Sequence, residues 1–227
     1  LERDNSRLRG DLRTISRRFA HDLRTPLNCI STASEALQDP EVPADSPQTV
    51  FAQSIAGSVE EAVALLERMS VVLRATANPP PLQLVTMEEI VWGTLQRLET
   101  RIFRAGATIV KPSTWPAVEG VPAWIDLIWV NLISNSLQHA GPRPRIELGW
   151  DDVEGSCRFW VRDSGRGVPP ERRDRLFYPL DRLSDLNAPR GFGLSIVHRL
   201  VELQGGQCGY DPLPPSGGSF FFTLLRA

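Results

Sequence analysis

The chain has 227 residues, 41% of them hydrophobic, and a formal net charge of -2, which fits an ordinary globular protein, and no nucleic-acid partner is expected. No apolar run approaches the roughly 18 residues that cross a bilayer, and no secretory signal opens the sequence, so no membrane contact is expected within this stretch and a cytoplasmic setting is. Lys111 is the only lysine, which removes every phosphate site built on a P-loop lysine or on the strand lysine of a eukaryotic-type kinase.

The opening LERDNSRLRGDLR reads as the middle of a helix, so a piece of a longer protein is expected. Leu1, Leu8 and Ile15 alternate with Asn5, Leu12 and Phe19 at steps of four and three, a coiled-coil seam. The seam turns His21 toward solvent. The apolar series continues through Leu23, Leu27, Ile30, Ala33 and Leu37, and Pro26 should kink the helix as the register changes. A proline-rich loop, 38–47, precedes a second helix with Val50, Ile55, Val59, Val63, Leu66, Met69, Val72 and Leu73 on one side. Two amphipathic helices cannot bury a core alone. Pairing two hairpins gives a four-helix bundle, so residues 1–77 are expected to form a homodimer; a monomeric hairpin lying on its own C-terminal domain is the alternative.

NPPPL at 78–82 is a stiff hinge, and residues 83–227 change to mixed helix and strand. Thr86 and Glu89 form a capping box for a helix through about Arg104. Strands are expected at 107–111 and 117–120, a helix from Pro122 or Ala123 to near Ala140, strands at 145–152 and 156–164, a helix at 194–204 and a closing strand at 218–225. The whole is an α+β chain: a dimeric helical bundle followed by an α/β sandwich. The aromatic run Phe220, Phe221, Phe222 reads as core rather than a stacking platform for nucleic acid. Cys29, Cys157 and Cys208 form no pair by spacing and read as small buried hydrophobes. His198 reads as structural.

Four constellations carry chemistry. In FAHDLRTPL, His21 is followed by Asp22, with Thr25 one turn on; imidazole with a pKa near ~6.5 is mostly neutral at cytosolic pH and nucleophilic, and a neighbouring carboxylate can take up its proton. NLISN sets Asn131 and Asn135 on one helix face, where buried carboxamides need a polar partner. RDSGRGVP brings Asp163 off a strand end into a turn with Gly165 and Gly167. RGFGLS places Gly191 and Gly193 at the opening of a helix, whose free amides attract phosphate.

In this order, with LFYPLDRL between the last two, these segments resemble the H, N, G1, F and G2 boxes of sensor histidine kinases of two-component systems, over roughly residues 10–227. The resemblance implies a protein-histidine kinase in which His21 accepts the γ-phosphoryl group of ATP, Asp22 serves as acid/base and Thr25 supports phosphatase activity. It implies a Mg2+ ligand in Asn135 and nucleotide contacts from Asn131, Gln138, His139, Asp163, Gly165, Gly167, Phe177, Arg182, Arg190, Gly191, Gly193 and Leu194. Asp163 would accept a hydrogen bond from the adenine amine. The partner implied is a response-regulator receiver domain, whose aspartate takes the phosphoryl group. Four positions depart from the family pattern: Asp22 stands where glutamate is usual, Gln138 where a basic residue is common, Pro189 where the first glycine of the last box stands, and Phe192 where that box has leucine. The Asp22 change is conservative and leaves catalysis possible, whereas Gln138 and the incomplete last box leave a second expectation, a dimeric scaffold or phosphatase module with an impaired ATP site. A third, a chaperone-, gyrase- or mismatch-repair-type ATPase or a serine-directed kinase, lacks the H box.

Overall fold

A computed structural model describes residues 79–177 and 193–227 throughout, with scattered positions between 27 and 75. His21, Asp22, Thr25, Arg182, Arg190 and Gly191 lie outside the described residues, as do the expected seam, the Pro26 kink and the loop 38–47. The chain divides into two units, Leu1–Arg74 and Ala75–Ala227.

In the first unit every described position is helical. Ala33, Ser58 and Ala62 are buried, while Leu27 and Val59 are 53% and 44% exposed. Cys29 is exposed, which corrects its expected burial; at that position the thiol does not serve as core.

The second unit is built on a five-stranded sheet in the order β2-β4-β5-β7-β6, formed by Thr108–Val110, Arg145–Val153, Ser156–Asp163, Gly218–Leu225 and Cys208–Pro212. Only β2 and β4 run parallel; the other pairs are antiparallel. A separate two-stranded ribbon joins β1 (Gln83–Thr86) to β3 (Ala117–Gly120). Period-two alternation sends Cys157, Phe159 and Val161 of β5 to one face, opposite Leu224, Phe222 and Phe220 of β7, and all six are buried.

Three helices, α1 (Met87–Ala105), α2 (Pro122–His139) and α3 (Gly193–Glu202), supply the rest of the core. Helix α1 buries Met87, Val91, Thr94 and Leu98, one stripe at steps of four and three, and ends where Gly106, at φ 60, returns its amide to Ile102 and Phe103. Helix α2 packs against α1, α3, β4 and β5 and is therefore buried on most sides. Its Trp129 ring stands edge-on to Phe222 at 5.3 Å and to Phe159 at 6.2 Å, while Phe159 and Phe222 stack at 5.2 Å. Such pairs contribute about 0.5–1.5 kcal/mol each beyond the area they bury.

The helix ends are tied by polar links. Gln204, buried just beyond α3, accepts the Val121 N–H at 2.9 Å and donates to the Leu200 carbonyl at 2.8 Å, pinning the start of α2 to the end of α3. Thr94 Oγ1 lies 2.7 Å from Asp126 Oδ1, and Arg97 pairs with the same carboxylate, joining α1 to α2.

Several expectations change. Thr86 occupies the N-cap position of α1 but makes no side-chain cap bond, so the expected capping box does not form. Thr86 is also the last residue of β1, paired with Ala117, and strand pairing sets its orientation. Strands β1 and β6 were not expected; one is four residues long and the other contains Gly209 and Pro212, tolerated because β6 is an edge. Of the three consecutive phenylalanines, Phe220 and Phe222 are core, but Phe221 faces the other side of the sheet, where the Arg158 guanidinium stacks on it at 3.7 Å. On that side Trp160 lies across Gly149, where a Cβ would stand 2.1 Å from the indole, and Arg162 covers Trp160 at 3.7 Å. No helix among the described residues is long and apolar enough to cross a membrane.

Candidate functional site

The site forms where β5 ends beside the last two turns of α2. Asp163 closes β5, paired with Ile146 of β4 and Gly218 of β7, so both neighbouring strands fix its backbone. Its Oδ1 accepts the Gly165 amide at 2.9 Å, closing the turn, and its Oδ2 accepts the Ser136 hydroxyl of α2 at 3.3 Å. Burial pushes the Asp163 carboxyl above the usual aspartate range; the Gly165 amide, the Ser136 hydroxyl and the charge of His139 pull the other way. A half-buried carboxylate held at two points retains lone pairs for an incoming N–H donor.

The turn after Asp163 is crowded by the protein's own backbone. A Cβ on Gly165 would stand 2.8 Å from the Ala140 Cα, so the chain passes tightly against the C-cap of α2. Gly167 has φ +70, and a Cβ there would meet the Gly217 carbonyl oxygen at 2.6 Å. Both glycines are therefore required by close approach of the chain to itself.

Helix α2 presents Asn131, Asn135, Gln138 and His139 at steps of four, three and one, one face of the helix. Burial falls along that stripe: Asn131 is buried, Asn135 half-buried, and Gln138 and His139 exposed. Asn131 donates its amide to the Leu127 carbonyl at 2.7 Å. Its Oδ1 faces Gly193 at the start of α3, where a Cβ would stand 3.0 Å away. Asn131 thus sets how closely α3 begins against α2, and Asn135, one turn nearer the Asp163 end, keeps a side-chain oxygen suited to a hard cation. Leu194 is half-buried on the first turn of α3. Phe177 packs edge-on to Phe220 at 6.3 Å, beneath the same end of the sheet.

The structure brings together Asn131 with Gly193 and Asp163 with Gly165. Two participants carried no sequence signal. Ser136 is fully buried and bonds Asp163, yet a serine beside the expected Asn135 is unremarkable in sequence. Tyr210 sits on the unexpected strand β6 and accepts the Val168 amide at 2.9 Å. The described residues hold no cluster of His, Cys, Asp and Glu able to bind a metal by themselves. Burial raises the Cys157 thiol and, with the charge of Glu202, pushes Cys208 up to about 12, so neither is a nucleophile.

Two family models match the chain. The His Kinase A (phospho-acceptor) domain covers residues 11–77, and the histidine kinase-, DNA gyrase B-, and HSP90-like ATPase covers residues 120–227. Among curated proteins, the phytochrome-like protein Cph1 of Synechocystis is 28% identical over 99% of this chain and 30% of its own length. The adaptive-response sensory kinase SasA of a Synechococcus strain is 29% identical over 92% of this chain and 56% of its own. The chain spans only 25–30% of the length of the first three curated relatives it matches. Among solved structures, the Acinetobacter baumannii histidine kinase AdeS has the same fold, with a TM-score of 0.69 at 21% identity over 91% of this chain and 98% of that one. So does the histidine kinase ThkA, solved in complex with the response regulator protein TrrA, with a TM-score of 0.68 at 19% identity over 93% of this chain and 61% of that one. With a phospho-acceptor domain followed by this ATPase fold, the chain belongs to the sensor histidine kinases of two-component systems.

Proposed function

We propose that this chain is the kinase core of a two-component sensor, transferring the γ-phosphoryl group of ATP to His21 and from there to an aspartate of a response-regulator receiver domain. The observation that carries the reading is Asp163: a half-buried carboxylate at a strand end, tied to the asparagine-bearing helix, within the segment that matches the ATPase family. His21 falls inside the segment that matches the phospho-acceptor domain. ThkA, which shares the fold, is described with a response regulator bound.

In this reading the Asp163 carboxylate accepts the exocyclic amine of adenine, which selects ATP over GTP. Asn135 supplies an oxygen ligand to Mg2+, and the bound ion neutralises charge on the phosphates. The amides at the start of α3, near Gly193 and Leu194, receive phosphate oxygens with help from the helix dipole. Arg182 and Arg190 add positive charge there, which the exposed Gln138 does not. A neutral nitrogen of His21 attacks the γ-phosphorus, the bond to the β-γ bridging oxygen breaks, ADP leaves, and Asp22 accepts the imidazole proton. The phosphoryl group then passes to the regulator's aspartate, and Thr25 orients water for the reverse duty. Residues 1–77 dimerise as a four-helix bundle, for which the exposed Leu27 and Val59 supply apolar surface, and 78–82 serves as the hinge before the 83–227 catalytic domain.

Incubation with γ-labelled ATP and Mg2+ tests the proposal. Acid-labile, base-stable label on the wild-type chain supports it. No label, with ATP still bound, supports instead a dimeric scaffold or phosphatase module, the alternative raised by Gln138 and Pro189.

A further inference from the structure

Beside the Asp163 turn lies a tyrosine that the reaction outlined above does not use. Tyr210, on edge strand β6, sits in a slot made by glycines: a Cβ on Gly218 would stand 2.4 Å from the Tyr210 ring, and one on Gly167 would stand 3.1 Å from its hydroxyl. The hydroxyl accepts the Val168 N–H at 2.9 Å and lies 3.4 Å from the Gly217 carbonyl, to which it donates. Gly217 in turn touches Asp163, since a Cβ there would stand 2.5 Å from the Asp163 carbonyl oxygen. The far side of the loop is held as well, because Arg173 Nε donates to the Val168 carbonyl at 2.9 Å. Phe220 supports the ring at 5.0 Å.

We propose that Tyr210 is a positioning residue for the nucleotide: its hydroxyl locks the 163–168 turn to the β6–β7 turn and so fixes the direction in which the Asp163 carboxylate faces adenine. This rests on the reading of Asp163 as the adenine acceptor. A backbone amide has one good geometry toward a phenol oxygen, and that bond spans the loop five residues from the recognition group. Without it, Val168 N–H must find water, and the turn gains freedom that base recognition then has to remove. No other hydroxyl partner for that amide exists among the described residues.

Tyr210→Phe keeps the ring in its glycine slot and deletes only the hydroxyl. Three measurements on the full chain decide the matter: affinity for Mg-ADP and Mg-GDP, the split of KM against kcat for autophosphorylation, and amide exchange at Val168 compared with the β4, β5 and β7 amides. The expected result is a loss of ADP affinity of about fivefold, a narrower gap between ADP and GDP, KM raised with kcat nearly unchanged, and faster exchange confined to the turn. Unchanged affinity and selectivity overturn the inference, whether or not Val168 exchanges faster. So does faster exchange across the whole sheet, which makes Tyr210 a stabilising residue only. Asp163→Asn serves as the reference. If it binds ADP like the wild type, the reading of the site fails first; if it loses ADP while Tyr210→Phe keeps full affinity, only the role of Tyr210 falls.

Discussion

Ser136 and Asp163 are joined by one hydrogen bond, 3.3 Å from hydroxyl to carboxylate, and it links the helix that carries Asn135 to the end of β5. Ser136 is fully buried and α2 is fixed by the Trp129 cluster, so the carboxylate inherits its position from the core.

Replacing Ser136 with Ala removes that link and leaves the carboxylate one partner fewer. The bond is long, so a loss of about 1 kcal/mol is expected, read by calorimetry as roughly fivefold weaker ATP affinity. The thermal midpoint should fall by a few degrees at most, because the same bond contributes to folding and the vacated space is small.

Asp163→Asn should separate stability from binding. Burial raises the Asp163 pKa above its unfolded value, so the folded state binds more protons between those two values and stability falls as pH rises through that window. An asparagine there can still accept the Gly165 amide and carries no charge to desolvate. At neutral pH the variant should melt no lower than wild type while losing adenine nucleotide affinity, and the fall in stability between acid and neutral pH should shrink. Melting curves across pH read both effects.

Gln204→Leu tests the joint between α2 and α3. It leaves the Val121 N–H buried without its acceptor, at a cost of about 1–3 kcal/mol. Chemical denaturation should show a lower midpoint at unchanged slope, and nucleotide affinity in the remaining folded protein should be near normal, since Gln204 lies away from Asp163.

Gly149→Ala forces Trp160 off the outer face of the sheet, because the new Cβ would stand 2.1 Å from the ring. Arg162 then loses its cation–π partner. Overpacking of this kind costs about 1–3 kcal/mol, visible as a lower melting temperature and altered tryptophan fluorescence.

The sequence made much of the second unit legible, for identifiable reasons. Helix α2 was legible from Pro122 at its start, GPRP at its end and the apolar residues between, and Asn131 to Asn135 spacing placed both on one face without any structure. Strand β5 alternates cleanly, with Cys157, Phe159 and Val161 buried, because one face of the sheet is covered by helices. Thr86 misled because its local cap pattern competes with strand pairing to Ala117, a contact distant in sequence. Strand β6 was hidden by Gly209 and Pro212, which propensity rejects and an edge position permits. Ser136 and Tyr210 escaped notice because each acts through a partner brought close only by the fold, Asp163 in one case and Val168 in the other. The motif order, by contrast, is a linear property, so the family was readable at once.

The most direct measurement maps the phosphoryl group itself. After brief incubation with Mg-ATP and digestion kept neutral or alkaline, mass spectrometry should find one phosphoryl group on the peptide containing His21, and none on the His21→Gln variant, which should still bind ATP. Phosphate on a serine or threonine, or equal labelling of the His21→Gln variant, would contradict the account.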